Sequence, residues 1–309
     1  TDTRERDAAL TAVDAPSVLE SGAECTLRFR VVNAGVGTAS TNLRVNISSE
    51  DTAGGEWYAN GTAHPTGDMP PGEDAWVEVP WTAPSPASMC GTYLVDARLD
   101  GDERASNDRM NVTLSVGHIV FADDFEGATT QVKVPSGDGL NKWELGLETN
   151  STNHVWMYGT ETGYLDLADD VLLLPSLDLT GAGRSFIRFE YMSMTEYDLD
   201  RVSLEVGDGA GGWAELWSAS GIDISFRART VELTGYAGSS TQLRFRFTSD
   251  HDLVNRGAFL DDMTVFGFPD YCDVSLSARP AVATALPGEM ARFTATLRNN
   301  GTSSAQVSL

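Results

Sequence analysis

From Leu172 to Gly267 apolar and polar residues take turns along nearly every segment. Ile187, Phe189 and Tyr191 fall on one side of a strand-like run and Arg188 and Glu190 on the other; Val202, Leu204 and Val206 oppose Arg201, Ser203 and Glu205. Leu243, Phe245 and Phe247 repeat the arrangement against Gln242, Arg244 and Arg246. A period of two cannot lie on one face of a 3.6-residue helix, whereas it sorts cleanly onto the two faces of an extended chain. The runs are short and end in Gly, Asp and Ser clusters, so they predict half-buried antiparallel strands and, together, the body of a β-sandwich.

The same grammar extends over the remainder of the chain. Residues 1–117 predict a first sandwich, with strands near Cys25–Val32, Asn42–Ser48, Ala75–Trp81, Gly91–Leu99 and Met110–Val116, joined by turn-forming tracts such as GTAHPTGDMPPGED. Asp7, Leu10, Gly22, Val31, Asn33 and Gly35 recur at one constant offset as Asp273, Leu276, Gly288, Leu297, Asn299 and Gly301. The tail 269–309 therefore reads as the start of a second copy of the first domain. Two or three strands leave an open edge, so such a tail is expected to continue or to pair with something else. The expected fold is all-β: tandem antiparallel sandwiches over 1–117, 118–268 and an incomplete 269–309.

Two resemblances refine this. The order PSLDLT, an aromatic-rich strand, DRVSLEV, a Gly-rich turn into Trp213, VELTGYAG, QLRFRFTSD and FLDDMTV, opened by HIVFADDFEG at His118, resembles the MAM-like jelly-roll module found beside secreted metallopeptidases of the immune inhibitor A type. The tract LTAVDAPSVLESGAECTLRFRVVNAGVGTA, leading to DARLDGDERASNDRMNVTLSV, resembles adhesion-related Ig-like repeats of archaeal and bacterial surface proteins. The first resemblance implies a jelly roll over roughly half the chain, the second an Ig-like sandwich before and after it. Both modules accompany many different partners, so they imply a fold more than an activity.

Composition narrows the partners. With 45 acidic and 21 basic residues the net charge is -24, a field that repels nucleic acid and anionic membrane and attracts cations. Only Lys133 and Lys142 are lysines among the basic residues, a bias that suits work in high salt, where screening removes self-repulsion. No apolar run reaches the length of a membrane-spanning helix, and the start at Thr1 reads as a processed or excised piece. Sequons at Asn46, Asn60, Asn111, Asn150 and Asn300 fit a secreted glycoprotein, although a Ser/Thr-rich chain also produces them by chance. Cys25 and Cys90 read either as a disulfide between two strands of the first sandwich or as two buried thiols; Cys272 has no mate in its own segment.

For chemistry, acids crowd the two ends of the middle domain: Asp123, Asp124 and Glu126 near its start, Asp261 and Asp262 near its end. Carboxylates converging there call for a hard cation, or else are solvated strand ends. The MAM-like resemblance implies a metal at the Asp-Phe-Glu and Leu-Asp-Asp positions, hence calcium at Asp124, Glu126 and Asp262 as a brace. Asp169, Asp170, Asp198 and Asp200 read as turn formers. The four scattered histidines and the lack of HExxH, GxSxG and CxxC motifs argue against an enzyme. Trp156 and Trp217 sit among apolar neighbours and read as packing residues, with sugar stacking as the alternative. The expected function is a non-catalytic extracellular or cell-surface module for adhesion, assembly or docking. Its expected partners are other surface proteins, copies of itself in a filament, or glycans; a metallopeptidase accessory region and a carbohydrate-binding module are the rivals.

Overall fold

The computed structural model describes residues 5–49, 57–85, 90–101, 104–135, 142–149, 151–160, 162–269, 274–279 and 294–299. Asn150, Asn300 and Cys272 lie outside these residues, and Asn60 is described in backbone only. Among them the chain is all β apart from one 3-10 turn, Thr234–Tyr236, and no helix is long and apolar enough to cross a membrane. Two compact units are present: Thr1–His118 together with Phe268–Leu309, and Ile119–Gly267.

The first unit holds β1 (Ala8–Asp14), β2 (Val18–Glu20), β3 (Glu24–Asn33), β4 (Asn42–Ser49), β5 (Trp57–Pro65), β6 (Asp74–Thr82), β7 (Gly91–Leu99) and the N-terminal part of β8 (Arg109–Asp123). One sheet has the order β1-β3-β6 and the other β5-β4-β7-β8, with β2 parallel to β8. Alternation decides the core: Leu27, Phe29 and Val31 of β3, Leu43, Val45 and Ile47 of β4, and Tyr93 and Val95 of β7 are buried together. Each such side chain removed from water is worth about 1.5–3 kcal/mol. Asn33, at the end of β3, is also buried, and its side chain organises the turn that follows. Its amide nitrogen donates to the Gly37 and Met69 carbonyls at 2.8 and 2.7 Å, and its oxygen accepts from the Gly35 N–H at 2.9 Å.

Of the two readings of the cysteines, the disulfide is not the one observed: Cys25 and Cys90 are free thiols. Cys25 pairs opposite Trp81 within the three-stranded sheet, whereas Cys90 directly precedes β7 of the other sheet. Burial raises the pKa of both thiols. Both are therefore expected to react slowly with a thiol reagent at neutral pH, and fully after denaturation without reductant; loss of the denatured-state signal in unreduced protein would contradict this assignment. Of the sequon asparagines, Asn111 is exposed, while Asn46 is half-buried on β4, in register with Asn60 on one side and Asp96 on the other.

The second unit continues with the rest of β8, β9 (Trp143–Leu147), β10 (His154–Tyr158), β11 (Asp169–Leu173), β12 (Ala182–Met194), β13 (Arg201–Gly207), β14 (Trp213–Ala219), β15 (Ile222–Glu232), β16 (Leu243–Thr248) and β17 (Gly257–Pro269). One sheet runs β11-β16-β13-β14; in the other, β12 lies between β15 and β17, β17 also pairs with β8 and β10, and β10 with β9. Ile187, Phe189, Val202, Leu204, Val206, Leu243, Phe245 and Phe247 are all fully buried between them, as the alternation requires. Phe247 stacks on Tyr158 at 4.3 Å between ring centroids and takes the edge of Tyr164 at 5.0 Å. Trp217 packs against Phe189 and Tyr191 at 5.0 and 4.7 Å, and Trp156 is buried.

The alternation of β12 continues through its end: Met192 and Met194, on the face opposite Ile187 and Phe189, join a second apolar cluster with Val155 and Phe259, separate from the main core. Opposite Tyr191–Ser193 the register shifts, with the extra residues on β15 between Asp223 and Arg227. Where β10 meets β17, two glycines back onto each other at φ of 120° and 102°. A Cβ on Gly159 would lie 2.2 Å from the Arg256 carbonyl oxygen, and one on Gly257 1.8 Å from that of Tyr158. Beyond the second unit, β18 (Val274–Arg279) pairs with β19 (Thr294–Asn299). Val274 faces Asn299 and Leu276 faces Leu297, just as Ala8 faces Asn33 and Leu10 faces Val31, so the repeat seen in sequence is a repeat of strand pairing.

Phe247→Ala removes the ring shared by both tyrosines. It is expected to destabilise the second unit by about 3–5 kcal/mol, read as a shift in the denaturant midpoint of that unit's unfolding.

Candidate metal centre

Of the acids singled out at the two ends of the second unit, Asp262 feels the charges of Asp124 and Glu126, but the three are not among the carboxylates whose oxygens converge within 4.8 Å. Asp123 turns the chain after β8: its carboxylate accepts from the Phe125 N–H at 2.9 Å and from the Thr130 hydroxyl at 2.6 Å. Phe125, at φ 59°, is buried and anchors the turn. Glu126 accepts from the His154 backbone N–H at 2.6 Å and faces its Nδ1 at 3.0 Å; these hydrogen bonds hold its pKa below the ordinary value. Asp262 lies at φ 46°, and its pKa is raised by partial loss of solvent around it and then by the charges of Asp124 and Glu126, against the opposing charge of Arg188. Beside it Asp261, 5% exposed, accepts from the Asn153 amide at 2.7 Å, and burial pushes its pKa up to about 6. Of the three expected ligands, Asp262 thus feels the charges of the other two.

The tighter convergence lies elsewhere. Among the described residues, the carboxylates whose oxygens come within 4.8 Å of one another are those of Glu196, Asp200 and Asp250. Glu196 and Asp200 sit on the loop from β12 to β13, and Asp250 on the loop from β16 to β17. Asp200 has no exposed surface. It accepts from the Tyr164 hydroxyl at 2.5 Å on one oxygen and from the Asp250 N–H at 2.8 Å on the other. Tyr164 continues the network by accepting from the Glu196 N–H at 3.1 Å, with the Leu253 carbonyl 3.2 Å from its oxygen. One oxygen of Glu196, Oε2, is buried with no hydrogen-bond partner. Its pKa is raised by burial first and then by Asp250, Asp200 and Asp252, while burial and the Asp200 carboxylate raise the Tyr164 hydroxyl.

Three carboxylates held this close repel one another, and a buried carboxylate oxygen with no donor is costly. A hard cation relieves both at once. The set is oxygen only, with His251 beside it exposed and turned to Asp252 at 3.8 Å, which suits calcium or magnesium chemistry rather than zinc or copper. A cation here joins two loops that the backbone reaches by different routes. Sequence reasoning placed Asp200 among turn formers and passed over Glu196 and Asp250. The Asp-Leu-Asp spacing before β13 and the Ser-Asp-His-Asp run after β16 were the only local signals, and neither reveals that the two loops meet.

The remaining acids are structural. Asp170 accepts from the Tyr158 hydroxyl at 2.5 Å, and Asp169 pairs with Arg246 at 2.6 Å. On the same sheet Glu205 takes Arg244 at 2.6 Å, and that guanidinium also lies over the Trp213 ring at 4.1 Å. His118 pairs with Glu20 at 3.0 Å, as His154 does with Glu126.

No family model and no curated protein matches this chain. Among solved structures, it is similar to the CARDB domain of a Pyrococcus furiosus protein, solved with di-metal ions, at 22% identity and a TM-score of 0.30, covering 38% of this chain and 93% of that one. It is also similar to a β-glucosidase from Listeria innocua in complex with glucose, at 12% identity and a TM-score of 0.28, covering 37% of this chain and 16% of that one. A third similarity is to the alkylpurine DNA glycosylase AlkC of Pseudomonas fluorescens, at 11% identity and a TM-score of 0.26, covering 36% of this chain and 31% of that one.

Asp261 offers a pH test. Its folded pKa of about 6 stands above the unfolded value of about 3.9, so the folded state holds the proton more tightly and stability falls as pH rises through that window. In metal-free protein Asp261→Asn is expected to abolish this slope between about pH 4 and 6 and to gain up to about 2–3 kcal/mol at pH 7 relative to the parent. Parallel slopes for the two proteins in denaturant titrations across that range would contradict the assignment.

Proposed function

We propose that this chain is a non-catalytic part of an extracellular or cell-surface protein, in which the second unit is a MAM-like jelly roll braced by calcium at Glu196, Asp200 and Asp250. The observation that carries the reading is the meeting of three carboxylates from two separate loops within 4.8 Å around a fully buried Asp200. Bound there, calcium supplies charge neutralisation and oxygen coordination. The chain's own residues do the positioning, since Tyr164 and the Asp250 N–H fix Asp200 and leave Glu196 Oε2 to turn toward the ion. A brace of this kind suits a medium in which free calcium is abundant, and extracellular modules bind it weakly, at about 10⁻⁴–10⁻³ M. The tandem sandwich architecture supports a role in adhesion, assembly or docking to other surface proteins.

A second calcium at Asp124, Glu126 and Asp262, implied by the MAM-like resemblance, is favoured by the mutual charge pressure on Asp262. The two sites are separable by experiment. Millimolar calcium is expected to raise the melting temperature of the second unit, and excess EGTA to reverse it. Glu196→Gln is expected to remove most of that rise without lowering the metal-free melting temperature, whereas Glu126→Gln leaves the larger part in place. A melting temperature indifferent to EGTA in the parent protein would sink the calcium reading altogether.

A further inference from the structure

Most of the exposed large apolar side chains among the described residues gather on the loops at one end of the second unit, next to the acidic cluster. Tyr197, Leu167 and Leu253 are each 74% exposed, Ile222 is 70% and Leu199 55%. Two of them are displayed against backbone preference: Leu167 lies at φ 54° and Leu253 at φ 39°. A bulky residue in the left-handed region costs about 1–2 kcal/mol, and each leucine so placed also leaves apolar surface in water. The backbone at both positions ties the loops together, but their side chains stay in water, and apolar surface gathered in this way marks interaction sites.

The loops are tied to one another, so the surface is formed in advance. The Leu167 N–H donates to the Asp250 carbonyl at 2.6 Å, and the Tyr164 N–H to that of Asn255 at 3.1 Å. The Thr195 N–H donates to the Gly221 carbonyl at 3.1 Å and the Asp198 N–H to the Ser220 hydroxyl at 2.7 Å. The Tyr197 ring lies over Gly221, where a Cβ would come within 2.9 Å of it. Between these loops lies a groove of about 520 Å³, walled by Tyr197, Ile222, Leu253 and Val254 and closed at one side by Glu196.

We propose that this groove docks a protein segment that presents apolar side chains beside a lysine or arginine. Charge decides between occupants. Glu196 lines the groove, and behind it Asp250, Asp200 and Asp252 add negative charge that acts on its carboxylate. Even a dication among four carboxylates leaves that side anionic, so the inference does not rest on the calcium reading. An anionic lipid headgroup is repelled there and a neutral apolar peptide leaves the charge unanswered, whereas an aliphatic cation lays its stem on Ile222 and Leu253 and its charge toward Glu196 and Asp252.

The test uses the full chain and an acetylated, amidated pentapeptide alternating leucine and lysine, titrated by calorimetry in calcium and, separately, in EGTA. Binding is expected in both media, weakened at least tenfold by Ile222→Ser with Leu253→Asn, in which asparagine keeps the left-handed backbone accessible, and severalfold by Asp252→Asn. The matched leucine–glutamate peptide is expected not to bind. Equal binding of the double variant shows that acidic surface alone attracts the peptide and overturns the proposal. So do equal binding of the glutamate peptide, no binding of the lysine peptide, and co-sedimentation with phosphatidylcholine–phosphatidylserine vesicles in place of peptide binding. Calcium-dependent melting of the Ile222→Ser, Leu253→Asn double variant, expected to be unchanged, keeps failure of the groove distinct from failure of the metal site.

Discussion

The second unit depends on Phe247 and the two tyrosines that hold it. Tyr158 covers one face of the ring and Tyr164 meets it edge-on, an arrangement worth about 0.5–1.5 kcal/mol per pair beyond the area buried. Each tyrosine then carries its hydroxyl to a buried carboxylate, Tyr158 to Asp170 and Tyr164 to Asp200. Burying a carboxylate is tolerable only when donors meet it. The apolar core thus supplies, through rigid rings, the donors that allow acids to sit at its margins. Asp200 is held still by the core and offered to the loops, and the convergence with Glu196 and Asp250 follows from it.

That dependence explains why the fold was more legible in the sequence than the site. Ile187, Phe189, Val202, Leu204, Leu243 and Phe245 announce their burial by period alone, because alternation is a local property of an extended chain. What is not announced is that the opposite face of β12, polar at Arg188 and Glu190, turns apolar and buried at Met192 and Met194, nor the register shift that β15 makes beside them. The repeat was legible down to its register, since Val274 opposite Asn299 copies Ala8 opposite Asn33. The disulfide reading of Cys25 and Cys90 rested on one shared domain, and sequence cannot say that the two residues belong to different sheets.

The two acid clusters show the same divide at the level of chemistry. Asp124, Glu126 and Asp262 are named through a family resemblance, and Asp262 feels the charges of the other two. Glu196, Asp200 and Asp250 carry no motif. Their closeness comes from two loops whose chain separation hides it, and Asp200 looks like an ordinary turn aspartate until Tyr164 is placed against it. Apolar residues in those same loops, Leu167 and Leu253 above all, likewise look like core residues by composition and prove to face water.

The back-to-back glycines at positions 159 and 257 bear on how such a unit diverges. Each would-be side chain collides with the backbone of the opposite strand rather than with a replaceable side chain, so no second substitution across the gap makes room for the first. Neighbouring core positions can trade volume in successive steps, as Met and Leu do. This pair has no such intermediate. It is therefore a fixed point in sequence space, around which the loops bearing Glu196, Asp250 and the exposed leucines are free to drift while the strands that present them are not.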